Sequence, residues 1–179
     1  SVSTISGCIF GDCDYNVNLG SSIGLDFIEI NASAFVMGSS ASEEGRDTDE
    51  TAHLVTLTQN YYMMTTEVTQ GMFEQLMSYT PWDDYSSTDY GRSSSHPVYE
   101  INWHEAAATA NAVTAFHNSS FGTSLQDCYS CTGLGSSVSC TQVLADPYQC
   151  TGYRLPTEAE WEFSSRASST AAIWSPLGG

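Results

Sequence analysis

Positive charge is what this sequence lacks most. It contains no lysine and only four arginines, against 21 acidic residues, so its formal net charge is -17 at pH 7. Proteins that bind nucleic acid neutralise phosphates with a basic patch, which this composition does not supply. The same deficit argues against binding to an anionic membrane surface. No cofactor is assigned, and calcium is the one metal that we leave open, because the surplus of carboxylates favours cations.

Long apolar runs are also missing. No stretch approaches the roughly 20 apolar residues of a membrane-spanning helix, so we predict no membrane insertion. The first residues have neither the basic start nor the apolar centre of a secretory signal peptide. If the protein is secreted, we therefore expect this to be its mature form.

Signatures of catalysis are absent as well. The sequence has no G-x-S-x-G nucleophile motif and no glycine-rich phosphate-binding loop. We interpret each of the four scattered histidines as solvated or structural, and we assign no catalytic, cofactor-binding or metal-binding residue. What the chain does contain, 41% hydrophobic and 12% aromatic residues, indicates a folded globular protein. Its length suits one domain, or one domain and a fragment of another.

Cysteine occurs six times, which is an even number. Together with the absence of lysine and the abundance of Ser and Thr, this favours disulfides in a secreted, extracellular or periplasmic protein. A zinc site and free thiols are the alternatives, and only the Cys128 to Cys131 spacing suits zinc. Cys8 and Cys13 would close a short loop, whereas the remaining four cysteines allow three pairings that the sequence does not separate. The predicted disulfide residues are Cys8, Cys13, Cys128, Cys131, Cys140 and Cys150.

The first half of the chain is predicted as an arm followed by strands. Residues 1–24 have no periodicity and are interpreted as an irregular N-terminal arm, with the domain proper over 25–179. Alternating apolar residues predict a β-hairpin over 26–38. They also predict a second pair of strands, 53–58 and 61–67, that turns at Gln59-Asn60.

The second half is predicted as helices that flank a long insertion. Thr69 and Asn102 are placed as N-caps of two helices, the second running from Trp103 to about His117. Residues 118–151 form a Ser-, Gly- and Cys-rich insertion without periodicity. Such a long loop needs a staple, and the four cysteines supply it.

The stretch 152–162 begins a third helix with complete capping chemistry. Thr157 is the predicted N-cap and Glu160 completes the capping box, while Glu158 places negative charge on the first turn. We expect Trp161 to be buried and Arg154 to be held by a carboxylate. The candidates are Glu158, Glu160 and Glu162.

Several segments, taken in order, resemble one family, the formylglycine-generating enzymes or sulfatase-modifying factors. The resemblance covers about residues 25–170, and the motif at 152–163 is its most specific part. It implies a C-type-lectin-like α/β (α+β) fold with a small antiparallel sheet, two to three helices, long loops and disulfides. The segments are 35–39, 49–50, 53–57, 67–70, 97–98 with Trp103, and 152–163 with Arg166-Ala167.

The activity implied by this resemblance is the oxidation of a substrate cysteine to formylglycine, with a copper-binding cysteine pair and bound calcium. That pair lies late in the family domain, and none of the six cysteines matches it. We therefore expect a C-terminally truncated domain whose motif residues are structural.

Three functions follow as hypotheses. The first is a secreted, non-catalytic structural or recognition protein with a carbohydrate or protein ligand. This protein would self-associate with copies of itself, for example as a filament in which residues 1–24 are donated to a neighbour. The second is a copper- and calcium-dependent oxidase whose catalytic half lies elsewhere. The third is a glycosylated surface protein, since Asn31 and Asn118 fit the acceptor pattern.

Overall fold

A computed structural model of the chain describes residues 14–43, 46–84 and 91–166. The chain divides into two compact units, the first from Ser1–Ile28 and Met64–Leu155 and the second from Glu29–Met63 and Pro156–Gly179. None of the described helices has the length and apolar character needed to cross a membrane. The strands are β1 (Tyr15–Gly20), β2 (Ile23–Ile30), β3 (Ala34–Met37), β4 (His53–Thr56), β5 (Tyr61–Met64), β6 (Tyr129–Thr132) and β7 (Ser139–Gln142), and the α-helices are α1 (Gln70–Met77), α2 (Trp103–Phe121) and α3 (Glu158–Arg166).

Strand β1 corrects the prediction of an irregular arm over residues 1–24. It pairs antiparallel with β2, and its Val17 and Leu19 are buried in the first unit's core. The two strands are joined by Ser21 and Ser22, which both have positive φ. A hairpin turn of this kind normally carries Asn or Gly at its two central positions, so Ser21 and Ser22 do not predict it. Residues 15–24 therefore contribute to their own domain, and the predicted Cys8–Cys13 loop lies outside the described residues.

The predicted strands exist, but their predicted partners are wrong. Instead of a hairpin over 26–38, β2 lies between β1 and β5 in a three-stranded sheet, while β3 pairs antiparallel with β4. β4 and β5 likewise belong to different sheets. The Asn60 side chain, at the predicted turn, reaches back to the segment between β2 and β3. It accepts from the Ala32 amide at 3.0 Å and donates to Glu29 and Asn31. Alternation locates strands, whereas pairing depends on contacts between distant residues.

The predicted caps of the first two helices are confirmed. The Thr69 side chain accepts from the Met72 amide before α1, and the Asn102 side chain accepts from the Glu105 amide before α2. Helix α2 continues beyond the predicted end and terminates at Gly122 in the left-handed conformation that favours glycine. Its Val113 packs in a core cluster with residues of β1, β2 and α1. The buried members of that cluster are Val17, Leu19, Leu25, Phe27, Met72 and Val113.

The Cys-rich insertion is more regular than its sequence predicts. Within residues 118–151, β6 and β7 form an antiparallel hairpin that packs on α2 beside Ala107 and Ala110. Disulfides Cys128–Cys150 and Cys131–Cys140 fix this segment, and the second joins directly opposed positions of the two strands. Small antiparallel sheets, helices and disulfides together form the predicted α+β fold.

Candidate functional site

The N-terminus of α3 has the predicted capping box. The Thr157 amide donates to Glu160 Oε2 at 2.8 Å, and the Glu160 amide donates to Thr157 Oγ1 at 3.2 Å. Glu160 is fully buried, and the positive end of the helix dipole favours its charge there. The Glu160 carbonyl also accepts from the Tyr61 hydroxyl at 2.9 Å. This acidic residue therefore anchors the helix start within the second unit.

One turn further along α3, Glu162 and Arg166 hold both backbone polar groups of Gly38. The Gly38 amide donates to Glu162 Oε1 at 2.8 Å, and Arg166 Nη2 donates to the Gly38 carbonyl at 3.1 Å. Arg166 Nε also donates to Glu162 Oε1 at 2.7 Å, in an ion pair whose side chains are 10% and 13% exposed. We call these three residues the Gly38 clamp. Charge-assisted hydrogen bonds between side chains with so little solvent exposure are among the stronger hydrogen bonds in proteins.

The clamp needs glycine at position 38 for two reasons. Its φ is +86°, in the region where side chains other than glycine are strained. A Cβ atom would also lie 2.9 Å from the carbonyl oxygens of Glu50 and Thr51. Sequence reasoning placed Gly38 and Arg166 in the same family pattern but missed their contact, because no local rule joins residues 128 positions apart.

Arg154 was predicted to bind a carboxylate, and Trp161 was predicted to be buried. Arg154 donates to the Leu155 carbonyl at 3.1 Å and lies 5.4 Å from the centre of the Tyr148 ring, which is a cation–π contact. Its carboxylate partner stays a prediction, and Glu162 is the candidate that binds Arg166 instead. Trp161 is 53% exposed, so the prediction that it is buried is wrong.

The position of Trp161 has a packing explanation. Phe163 of α3 contacts Phe35 of β3 with ring centres 5.1 Å apart. Tyr61 bonds the same helix at Glu160 and Ser164. These contacts determine which side of the helix packs against the rest of the second unit. Trp161 is not on that side and is therefore exposed to solvent. Glu158 is also exposed.

In the first unit, Tyr153 is the centre of a polar and aromatic network. Its amide donates to Thr114 Oγ1 at 2.9 Å, and its hydroxyl accepts from Tyr15 at 3.3 Å. The same hydroxyl lies within hydrogen-bond distance of His117 Nδ1, at 2.9 Å. Its ring packs against Phe27. This segment of the motif thereby connects β1, β2 and α2.

Burial shifts the pKa values of Tyr153 and His117 in this network. It raises the pKa of Tyr153 to about 12, with the Tyr15 hydrogen bond acting in the opposite direction. It lowers the pKa of His117 below 6.5. Burial thus favours the neutral form of His117, whose Nδ1 can accept from the Tyr153 hydroxyl.

A buried carboxylate that sequence reasoning missed lies at the start of α2. Glu105 is 2% exposed, accepts from the Tyr79 hydroxyl at 2.6 Å and accepts from the Asn102 amide at 2.9 Å. Burial and this carboxylate raise the pKa of Tyr79 far above its usual value. The capping-box spacing of Asn102 and Glu105 was the signal that could have found it.

Side chains of α2 position the disulfide hairpin. His104 Nδ1 accepts from the Cys140 amide at 3.1 Å, and Asn111 Nδ2 donates to the Tyr129 carbonyl at 2.6 Å. The Tyr129 hydroxyl accepts from the Leu155 amide at 3.0 Å. Trp103 is half-exposed and meets the Tyr129 ring edge-on at 5.6 Å. The hairpin is thus held by polar contacts along its length as well as by disulfides.

The two predicted glycosylation sites differ in their surroundings. Asn31 is exposed, and its Oδ1 accepts from Asn60 at 3.0 Å. The Asn118 side chain donates to the Leu125 carbonyl at 2.9 Å and accepts from the Leu125 amide and the Thr123 hydroxyl. Asn118 therefore ties the end of α2 to the following loop. Glycosylation at either position stays a prediction.

The described cysteines do not fit the copper that the family resemblance implies. The described residues also contain no group of three or more His, Cys, Asp or Glu side chains placed to hold an ion. A copper-binding cysteine pair needs thiolates, whereas Cys128, Cys131, Cys140 and Cys150 are all oxidised to disulfides.

Comparison with known proteins identifies the family of this chain. The model of the sulfatase-modifying factor enzyme 1-like domain matches residues 23–176, and the chain therefore belongs to that family. The family expected from the sequence is thus confirmed. None of the curated proteins matches the chain.

One solved structure also resembles the chain, that of Treponema denticola variable protein 1. The TM-score is 0.57 and the identity is 24%, over 86% of this chain and 56% of that chain. At this identity the likeness shows the fold alone, and the chain spans little more than half of that structure's length.

Replacement of Gly38 tests the geometry of the clamp. Gly38→Ala should lower the free energy of unfolding by more than the ~1–2 kcal/mol of left-handed strain, because the new Cβ also overlaps the Glu50 and Thr51 carbonyls. Gly122→Ala is the matched control, since Gly122 has φ +65° and no atom near its Cβ position. Urea unfolding of both variants measures the difference. Equal losses would show that the space around Gly38 is not restrictive.

Burial of His117 predicts a pH dependence of stability. Its pKa is lower in the folded chain than the unfolded value of 6.5, so the unfolded state binds the proton first. Its stabilising contribution is complete above that value and is lost as pH falls below it. Between about pH 7.5 and about pH 5.5, the wild type should lose more stability than His117→Gln. Urea unfolding at both pH values measures this, and identical losses would contradict it.

Proposed function

We propose that this domain is a non-catalytic recognition domain of a secreted or periplasmic protein. The observation that supports this proposal most directly is the use of the family motif at α3. Thr157 and Glu160 cap the helix, and Glu162 and Arg166 bind the backbone of Gly38. These groups hold backbone atoms in place, so they are engaged in the fold and not presented to a substrate.

The cysteines support the same proposal. Cys128, Cys131, Cys140 and Cys150 pair with one another and fasten the hairpin to α2. Disulfides persist in oxidising compartments, which favours an extracellular or periplasmic location. A bonded sulfur is not a nucleophile and binds copper poorly, so these residues serve as staples.

Self-association with copies of the chain remains part of the proposal, and two observations bear on it in opposite directions. The described sheets have two or three strands each, and their open edges favour pairing with another strand. The net charge of -17 opposes contact between identical chains. Val17 and Leu19 are buried in the chain's own core, which argues against donation of residues 15–24 to a neighbour.

The family's oxidase activity is the alternative that membership itself favours. The purified protein, loaded with copper, should leave a cysteine-containing peptide unchanged, because the described cysteines offer no thiolate pair. Mass spectrometry of the peptide detects conversion of cysteine to formylglycine, and an active family oxidase serves as the positive control.

Formation of formylglycine above the level of a copper-only reaction would contradict the non-catalytic proposal. Repeating the assay with Cys8→Ser and Cys13→Ser together would then show whether those two cysteines, which lie outside the described residues, supply the thiolates.

A further inference from the structure

Strands β3 and β4 present an apolar face that no described residue covers. Antiparallel pairing places Val36 opposite Leu54 and Ala34 opposite Thr56. All four are exposed, with Val36 at 57% and Leu54 at 73%. The opposite face of β3 carries Phe35, whose ring packs against Phe163 of α3. The sheet therefore has one face covered by the second unit and one bare face formed by Ala34, Val36, Leu54 and Thr56, which we call the outer face.

Strand β4 also has a free hydrogen-bonding edge. In the part of the chain that the structure describes, its only strand neighbour is β3. The Leu57 amide donates to the Ser33 carbonyl at 3.1 Å. In an antiparallel pair every second pair of opposed residues is hydrogen-bonded, so the other hydrogen-bonded pairs of β3 and β4 are 35 with 55 and 37 with 53. The amides and carbonyls of Leu54 and Thr56 consequently point away from β3. An added strand would find two donors and two acceptors there.

The charge around this sheet selects the partner. The loop that joins β3 to β4 carries exposed Asp47, Asp49 and Glu50. Arg46 is the one cation among the described residues of this loop, and it contacts the Thr51 hydroxyl at 3.5 Å. Against it stand four acids, with Glu43 included, so the described part of the loop is net negative. A second copy would bring the same negative loop, whereas a basic polypeptide is complementary.

We propose that the outer face and the free edge of β4 bind an extended, basic segment of another protein, with alternating apolar and Lys or Arg residues. This rests on the proposed recognition function and names its partner. The backbone of the segment pairs with Leu54 and Thr56, its apolar residues extend the outer face beside Leu54, and its cations approach Asp47 and Asp49.

A short peptide of alternating lysine and valine is the probe. Isothermal titration should detect binding that weakens as salt is raised. A peptide with the same composition, lysines first and valines after, should bind more weakly because it cannot alternate. Upon binding the alternating peptide, the Leu54 and Thr56 amides should become protected from hydrogen exchange.

Substitution of exposed leucines separates docking from simple charge attraction. Leu54→Glu adds a negative charge, so attraction alone would strengthen binding, whereas loss of the apolar contact should weaken it by about tenfold or more. Leu134→Glu adds the same charge at a site that is 89% exposed and lies on the hairpin tip. It should not weaken binding. Circular dichroism checks that both variants are folded.

Three results would overturn the proposal. They are equal binding of the two peptides, equal effects of the two leucine variants, and salt-promoted dimers of the peptide-free protein that Leu54→Glu abolishes. The last would assign the face to a second copy. Each would leave the non-catalytic recognition function standing, since that fails only if the cysteine peptide is oxidised.

Discussion

The second unit depends on the contact of Glu162 and Arg166 with the backbone of Gly38. Gly38 ends β3 in a conformation that exposes both its amide and its carbonyl, and α3 supplies one acceptor and one donor for them. Removal of either side chain breaks the ion pair and also leaves one backbone group of Gly38 without its partner. An unpaired backbone group that is shielded from water lowers the stability of the fold. The capped start of α3 sets the helix in register for this contact, since Glu162 follows the buried Glu160 by two residues.

The first unit is organised differently, around α2. Its apolar side packs on the β1–β2 sheet and on the disulfide hairpin. Its polar residues position the hairpin and the Tyr153 network. In both units, residues of the family motif connect distant segments. The contacts of the motif residues are thus structural, since they hold distant segments of the chain together.

Local signals in the sequence predicted a large part of this structure. Caps at Thr69, Asn102 and Thr157 located three helix starts, because a side-chain oxygen and an amide three residues apart suffice to define them. Strand partners, the disulfide pairing and the Gly38 clamp were not predictable, because they join residues far apart in sequence. The β1 strand was missed for a further reason. Asn is typical of loops, whereas Asn16 is buried in this strand and donates to Asp26. The exposure of Trp161 likewise depends on which helix side Phe163 fills.

Glu162 and Arg166 act together as part of the fold, through one ion pair that holds Gly38. A double-mutant cycle with Glu162→Ala, Arg166→Ala and the double variant, followed by urea unfolding, measures their coupling directly. Because the pair is largely buried and shares Gly38, we predict a coupling energy of about 1–3 kcal/mol, with both single variants destabilised. Additive losses, with a coupling energy near zero, would contradict the claim.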